Sequence, residues 1–471
     1  MSRPAAPAAP GPSSGGPPSR ELVRERRAWY VYDWANSAYV TTTGTVLFAP
    51  YLTAVATAAA CPGLADGESC DAVLSVLGVP VAPGSLALYT TTVSTAVSAL
   101  LLPLVGALCD RVVRKRLLLG AFALVGATAA AAMAAVTGTS WQLGVGLQVV
   151  AGASLGASLV VYNALLLDLA GPDERDAVSS RGWALGYAGG FLLLAANLGV
   201  VSGHEALGLT EAEAVRVSLL SAGLWWGLFS LVPVLGLRDR PLAQPPPGEP
   251  APPRGGALSG TFGELVRTLR HARGHPMTLL LLAAFLLYND GVQTVIYAAS
   301  LFGTVELGLA QAQLITAILL VQGVAFVGAL VFGVLAGRFG AKRTVLWSLV
   351  AWTGVVSAGF VLPPGRFGLF LLLSVGIGLV LGGTQAISRS LYSQLVPVGR
   401  EAQYFSLYQA AERGTSWIGT LLFGLVFQLT GSYRPAVASL VVFFVLGGLL
   451  LLKVDVRRGI ADAGRPQPQR V

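Results

Sequence analysis

The chain has 471 residues and a net charge of +8, yet only 11% of its residues are charged, against about 25% in soluble globular proteins. Its mean hydropathy is +0.68. So few charges cannot cover a soluble chain of this size, so lipid is the expected solvent; neither a soluble enzyme nor a nucleic-acid binder fits, because the basic residues lie between apolar runs rather than on a patch.

Residues 1–27 read as a disordered cytoplasmic tail, rich in Pro, Ala, Gly and Ser and without the apolar run of a signal peptide. Twelve membrane helices are then predicted, at 29–57, 86–108, 116–137, 141–168, 183–202, 215–236, 277–303, 312–335, 343–362, 367–389, 404–428 and 433–453. Each is about long enough to cross a hydrocarbon core of roughly 30 Å. The fold class is therefore an all-α membrane protein. Residues 28–237 make a first six-helix bundle, 238–275 a linker and 276–455 a second bundle, with 456–471 as a second tail. The linker holds QPPPGEPAPPRGG and then a basic stretch with Arg267, Arg270 and Arg273, which suits a cytoplasmic connection with a helix on the membrane surface.

An even number of spans puts both termini on one side. Of 31 Lys and Arg residues, only Arg216, Arg366 and Arg434 fall on the opposite side, and Arg389 and Arg413 lie in or beside spans. The rest share the side of the termini, which the positive-inside rule makes the cytoplasm of a multi-pass cell-membrane protein. Cys61 and Cys70 share the first external loop, where a disulfide can persist, although spacing alone does not fix its geometry.

The halves repeat. GALCDRVVRKR (106–116) aligns without gaps to GVLAGRFGAKR (333–343), each after the second helix of its half. LDLAGPDERD (167–176) aligns likewise to SQLVPVGREA (393–402), each after the fourth. Two parallel six-helix repeats describe a known transporter architecture.

The first of these loops resembles the helix 2–3 signature of the major facilitator superfamily, roughly G-x-x-x-D-R-x-G-R-[KR]. Gly106, Asp110, Arg111, Arg114 and Lys115 match it, and Val113 stands in place of the second Gly. The resemblance implies a cytoplasmic gate between the halves, in which the acid accepts bonds at a helix N-terminus. Arg338, Lys342 and Arg343 recur in the second half, but Gly337 replaces the acid, which weighs against a symmetric second latch. The stretch W-x-x-Y-D-W-A-N-S-A-Y at 29–39 is more specific, and over about 25–455 the chain is similar to the vacuole-effluxer branch of that superfamily. Only Lys115, Lys342 and Lys453 among the 31 basic residues are lysines, and this Arg bias, with abundant Ala, Gly, Val and Pro, suggests a bacterial member with a GC-rich genome. The branch's fungal members are associated with release of leucine and other neutral amino acids from the vacuole.

Ionisable groups inside spans are functional candidates because each costs about 2.5–3.5 kcal/mol or more at mid-membrane. On the first helix Asp33, Asn36, Ser37 and Thr41 share an arc of about 140°. Asp33 either faces a water-filled cavity or pairs with Arg26 or Arg27 near the interface. Asp290, Gln293, Thr294 and Tyr297 follow i, i+3, i+4, i+7 spacing on the seventh helix. Asp290 suits a proton carrier, or an acid neutralised by Arg389 or Arg413. Gln385 and Arg389 lie on the tenth helix, and by the repeat Ser388 and Arg389 answer to Tyr162 and Asn163 on the fourth. The eleventh offers Gln409, Glu412 and Arg413. These charges fit either a cytoplasmic gate, assigned to Glu412 and Arg413, or contact with a substrate carboxylate by Arg389.

The phosphate-binding pattern G-x-x-x-x-G-K-[ST] is missing, and His204, His271 and His275 form no metal constellation. No metal, cofactor or nucleic-acid partner is expected. The expected partners are the lipid bilayer, a small-molecule substrate and a proton, with the chain as a monomer. The sequence thus predicts a secondary active transporter of a small polar solute, neutral amino acids first, working by proton-coupled alternating access with Asp290 or Asp33 as carrier. The alternative is a transporter-like sensor that binds without net transport.

Overall fold

The computed structural model describes residues 18–63, 70–241, 261–414 and 416–470. Most of the expected N-terminal tail, the middle of the linker and part of the first loop thus lie outside the described residues. Helix α1 (Arg20–Tyr39) starts where the Ser19 hydroxyl accepts from the Leu22 N–H at 3.2 Å. This corrects the expected tail boundary at 27. Arg26 holds the helix start to the rest of the bundle, donating to Glu174 at 2.5 and 3.0 Å and to the Leu169 carbonyl at 2.8 Å.

The first span then widens into a π-helical stretch, Val40–Leu47, before α2 (Phe48–Ala60). Pro50 gives a cause: it has no N–H to return to the preceding turn. Cys61 and Cys70 are disulfide-bonded, with Cα atoms 6.0 Å apart. A two-stranded antiparallel hairpin, β1 (Leu74–Val76) and β2 (Val79–Val81), follows the bridge.

The first half continues with α3 (Pro83–Cys109), α4 (Lys115–Ala132), α5 (Trp141–Leu169), α6 (Arg175–Ser202) and α7 (Glu211–Gly236). Linker helix α8 (Thr261–Ala272) leads to the second half: α9 (Pro276–Leu301), α10 (Gln311–Phe339), α11 (Ala341–Phe360), α12 (Phe367–Gln394), α13 (Glu401–Gly414), α14 (Ser416–Thr430), α15 (Tyr433–Ser439) and α16 (Val441–Lys453). Among the described residues ten helical stretches are long and apolar enough to cross a membrane. Helix α11 and the α13–α14 pair complete the twelve.

Residues 456–470, expected as a tail, instead begin with α17 (Val456–Asp462), whose Asp455 cap accepts from the Arg458 N–H at 3.0 Å. The segment then runs across the face that carries the termini. Arg465 pairs with Glu401 at 2.8 Å, and the Gln469 N–H reaches Asp173 of the first half at 2.6 Å.

The bundles meet where α6 packs on α10 and α12, and where α13 packs on α3 and α5. Within the first bundle a row of glycines on α6 lets α1 approach closely. A Cβ at Gly182 would lie 2.7 Å from Asp33 Oδ2, one at Gly186 2.7 Å from Ser37 Oγ, and one at Gly190 2.6 Å from Thr41 Oγ1. The polar stripe of α1 is seated on that row.

Candidate functional site

Arg389 of α12 reaches across the divide between the bundles. It donates from Nη1 to Asp33 Oδ2 at 3.2 Å and to Asn163 Oδ1 at 3.5 Å. Nε donates to Ser179 Oγ and Nη2 to the Ser179 carbonyl, each at 2.9 Å. Tyr162 donates its hydroxyl to the same Asp33 oxygen at 2.7 Å. The guanidinium lies over the rings of Trp29, Tyr162 and Trp183, 5.1–5.4 Å from their centroids. Both charges are buried, so removing either partner would strand the other, which typically costs about 3–5 kcal/mol.

This arrangement decides between readings left open by the sequence. Asp33 pairs with Arg389, not with Arg26 or Arg27. Arg389 neutralises Asp33, not Asp290. Its Nε, Nη1 and Nη2 each already donate to protein oxygens, so in this conformation it is not placed to hold a substrate carboxylate bidentately.

Next to this pair lies a cavity of about 300 Å³ between the bundles. Trp183 belongs both to its lining and to the Arg389 cluster. From there the cavity runs toward Leu314 and Phe370, at the ends of α10 and α12 remote from the termini. Of the candidate cavity residues Ser37, Thr41, Gln293 and Gln385 line it, and so does Glu412, which the sequence reading assigned to the gate. Asn36 instead donates to the Tyr32 carbonyl of its own helix at 2.6 Å. Gln409 lies behind Glu412, donating to Glu412 Oε2 at 2.6 Å and accepting from Arg413 Nε at 3.4 Å.

The expected stripe on α9 divides. Gln293 faces the cavity. Asp290 turns to α14, where Oδ2 accepts the Gly419 N–H at 2.8 Å, while Oδ1 has no partner among the described residues. Asp290 thus caps a helix start from outside. Tyr297 is 52% exposed and sits in a lateral groove with Leu88 and Phe423, a correction to its placement in the cavity. The i+3 and i+4 positions lie on opposite sides of Asp290, and here they straddle the boundary between cavity and α14.

The latch forms in the first half. Asp110 accepts from the Ala402 and Gln403 N–H groups, at 2.8 and 2.9 Å, at the start of α13. Gly106 makes room, since a Cβ there would lie 2.7 Å from the Ala402 carbonyl oxygen. Burial, reinforced by Glu401, pushes the Asp110 carboxyl up to about 7 against the pull of the two N–H donors. Burial also disfavours a charged Glu401, but Arg465, Lys115 and the Gly399 N–H outweigh it and hold that carboxyl below its usual range. Lys115 pairs with Asp168 at 3.2 Å, and Arg111 and exposed Arg114 flank the corner. In the second half Lys342 donates to the carbonyls of Leu452 and Val454 at 3.0 and 2.7 Å, while Arg338 and Arg343 are exposed.

The family described as vacuole effluxer Atg22-like matches residues 22–464. The chain belongs to that family. An uncharacterized MFS-type transporter YxiO of Bacillus subtilis (strain 168) is 27% identical over 434 residues, covering 92% of this chain and 95% of the relative. Autophagy-related protein 22-1 of Aspergillus niger is 28% identical, covering 88% and 81%. Among solved structures, the human organic anion transporter MFSD10 (TETRAN) superposes with a TM-score of 0.65 at 16% identity, covering 93% of this chain and all of that one. The proton:xylose symporter XylE gives 0.65 at 12% identity, covering 92% and 95%. These likenesses give the fold: two six-helix bundles of the major facilitator type. The chain is a multi-pass MFS-type transporter, and family and fold point away from an enzyme.

Sequence reasoning missed Ser179, Trp183, Tyr187, Gln322 and the C-terminal crossing. Gln322 donates to Thr41 Oγ1 across the cavity at 2.6 Å. No period or motif marks these residues. Only the repeat, which pairs the start of α6 with that of α13, hinted that the region around Ser179 lies at a corner.

Proposed function

We propose that the chain moves small amphipathic solutes, neutral amino acids first among them, across the cell membrane by proton-coupled alternating access, with both termini in the cytoplasm. The observation that carries this reading is the Asp33–Arg389 pair, a buried tie between the two bundles on one side of a solute-sized cavity. The other ties point the same way. Apart from Gln322–Thr41, the interbundle hydrogen bonds among the described residues involve the Asp33–Arg389 cluster or the face of the termini. The concentration of Lys and Arg on that face supports its assignment to the cytoplasm. The family's description as a vacuole effluxer supports solute export as the class of work. Interior acids available for a proton are Asp33, Asp290 and Glu412. They differ in surroundings: Asp33 is ion-paired, Asp290 caps α14, and Glu412 meets the cavity.

Counterflow of labelled leucine into proteoliposomes tests the reading. Wild type is expected to exchange leucine, and Arg389→Ala to lose at least about tenfold in rate, because a lone Asp33 would be left buried. Replacing both charges, with Asp33→Asn and Arg389→Met, is expected to recover part of the loss. Unchanged counterflow in Arg389→Ala would remove the pair from the transport cycle, and binding without counterflow in wild type would favour a sensor.

A further inference from the structure

The cavity has an uneven chemistry. Glu412 is the charged side chain among its described lining residues, and none of those residues is cationic. Its walls are apolar, from Ile296, Ile318, Val321, Phe370 and Ile377.

A second acceptor stands in the same wall. Asn289 donates from Nδ2 to the Glu412 backbone carbonyl at 3.1 Å, and that oxygen can only accept. The Asn289 side-chain oxygen must therefore face Gln385, which donates to it from Nε2 at 2.9 Å. Both amides are thereby oriented by the network. Among the described residues Gln385 is left with its Oε1 buried and without a hydrogen-bond partner, on a residue 4% exposed that lines the cavity. A buried acceptor with nothing to accept is costly until a donor arrives.

From these features we infer that the Glu412 carboxylate and the Gln385 carbonyl oxygen form an ammonium subsite, so that the solute class is a primary amine on an apolar body. This rests on the transport reading above and narrows it. A neutral amino acid enters through its ammonium, and its carboxylate finds only neutral donors. An amine of the same shape without the carboxylate is accepted; an acid without the amine is not.

The same carboxylate serves the proton. A protonated Glu412 cannot pair with an ammonium, so the solute binds as the proton leaves to water, and the proton returns as the solute departs. One proton then moves opposite to one ammonium. The charged and titratable groups that act on Glu412 are Arg413 and Tyr408 on its own helix, Arg389 from α12, Asp33 from α1 and Tyr187 from α6. Arg389 is committed to Asp33, and Arg413 donates to Gln409, not to Glu412. Among the described residues Glu412 is thus left with one firm partner, Gln409, which binds one of its two oxygens.

The test uses purified full-length protein and three probes of one shape: leucine, 3-methylbutylamine and 4-methylpentanoate. Binding is read from the fluorescence of Trp183, confirmed by its loss of response in Trp183→Phe, and by calorimetry. The amine is expected to bind at least as tightly as leucine and the acid not to compete. Amine binding should strengthen between pH 5 and 8, where the amine itself stays charged. Glu412→Gln should weaken the amine by at least about tenfold and flatten its pH profile, while Gln385→Leu should weaken it less and keep the profile. The inference is overturned if the acid competes as well as the amine, or if Glu412→Gln binds the amine with wild-type affinity and pH dependence. A flat profile in Asp290→Asn with a normal one in Glu412→Gln would also overturn it. Leucine counterflow with no amine binding would sink the subsite and leave the transport reading intact. Amine binding with no counterflow of any probe would do the reverse.

Discussion

The loop between α3 and α4 and the loop between α10 and α11 are copies of one sequence element, yet they hold their corners by opposite means. In the first, an acid of the loop, Asp110, accepts from backbone N–H groups that open α13. In the second, Gly337 stands where the acid would be, and its carbonyl accepts from Arg470 at 3.2 Å. The tie between bundles at this corner comes from α6 instead. Arg175 donates to the Ser393 carbonyl and to Gln394 Oε1 at 3.2 and 2.9 Å, near the end of α12, and Asp176 accepts from Ser390 at 2.6 Å. One corner anchors an anion at a helix start; the other anchors a cation at a helix end. Both satisfy backbone groups that a helix leaves unpaired. A repeat can therefore keep its architecture while its chemistry diverges.

The sharpest way to break the first corner is Asp110→Asn. One oxygen remains to serve two N–H donors, and the negative charge at the helix start is lost. The closed arrangement should weaken by about 1–3 kcal/mol. A Ser37→Cys reporter in the cavity, with Cys109→Ser as background, should then react faster with an impermeant thiol reagent applied from the side of the termini. Equal reporter rates with and without the Asp110→Asn change would show that the latch does not hold this face shut.

The smaller experiment restores the missing acid at the second corner with Gly337→Asp. A Cβ there meets nothing within 4 Å, so the side chain fits. At this corner Arg175 and Asp176 already tie the start of α6 to the end of α12. The change should alter stability by no more than about 0.5 kcal/mol and leave reporter accessibility alone. A marked gain in closure would mean that the two corners are closer to equivalent than their bonds suggest.

The sequence made the architecture legible because spans, the repeat and the placement of basic residues are written in composition and spacing. Asp110 was legible because its motif has an ordered spacing. The partner of Asp33 was not. Arg389 lies 356 positions away, on a helix whose rotation toward α6 depends on packing that no local period encodes. Glu412 and Arg413 were assigned together to the gate because they are adjacent. Adjacent residues on a helix point about 100° apart, and here that turn puts Glu412 at the cavity while Arg413 is held by Gln409. Tyr297 failed for the same kind of reason, as spacing gives an arc but not which neighbour fills it.

The first corner has one more brace that the second lacks, and it sets the smallest expected effect. Linker helix α8 packs on α3, and His271 at its end meets the hydroxyl of Tyr404 on α13 at 2.9 Å. Burial, with Arg400 and His275 nearby, pulls His271 from 6.5 down to about 4. A released α8 would take up a proton nearer the ordinary value, so between about 6.5 and 4 the released state binds more protons than the docked one. Docking is therefore strongest above that window and is lost progressively as the pH falls through it. Because His271 is only partly buried, the change is small. A nitroxide at Arg270→Cys should become more mobile on going from pH 7.5 to 4.5, and His271→Phe, which cannot take a proton, should stay docked at both. If both proteins loosen alike, the acid sensitivity lies elsewhere in the corner.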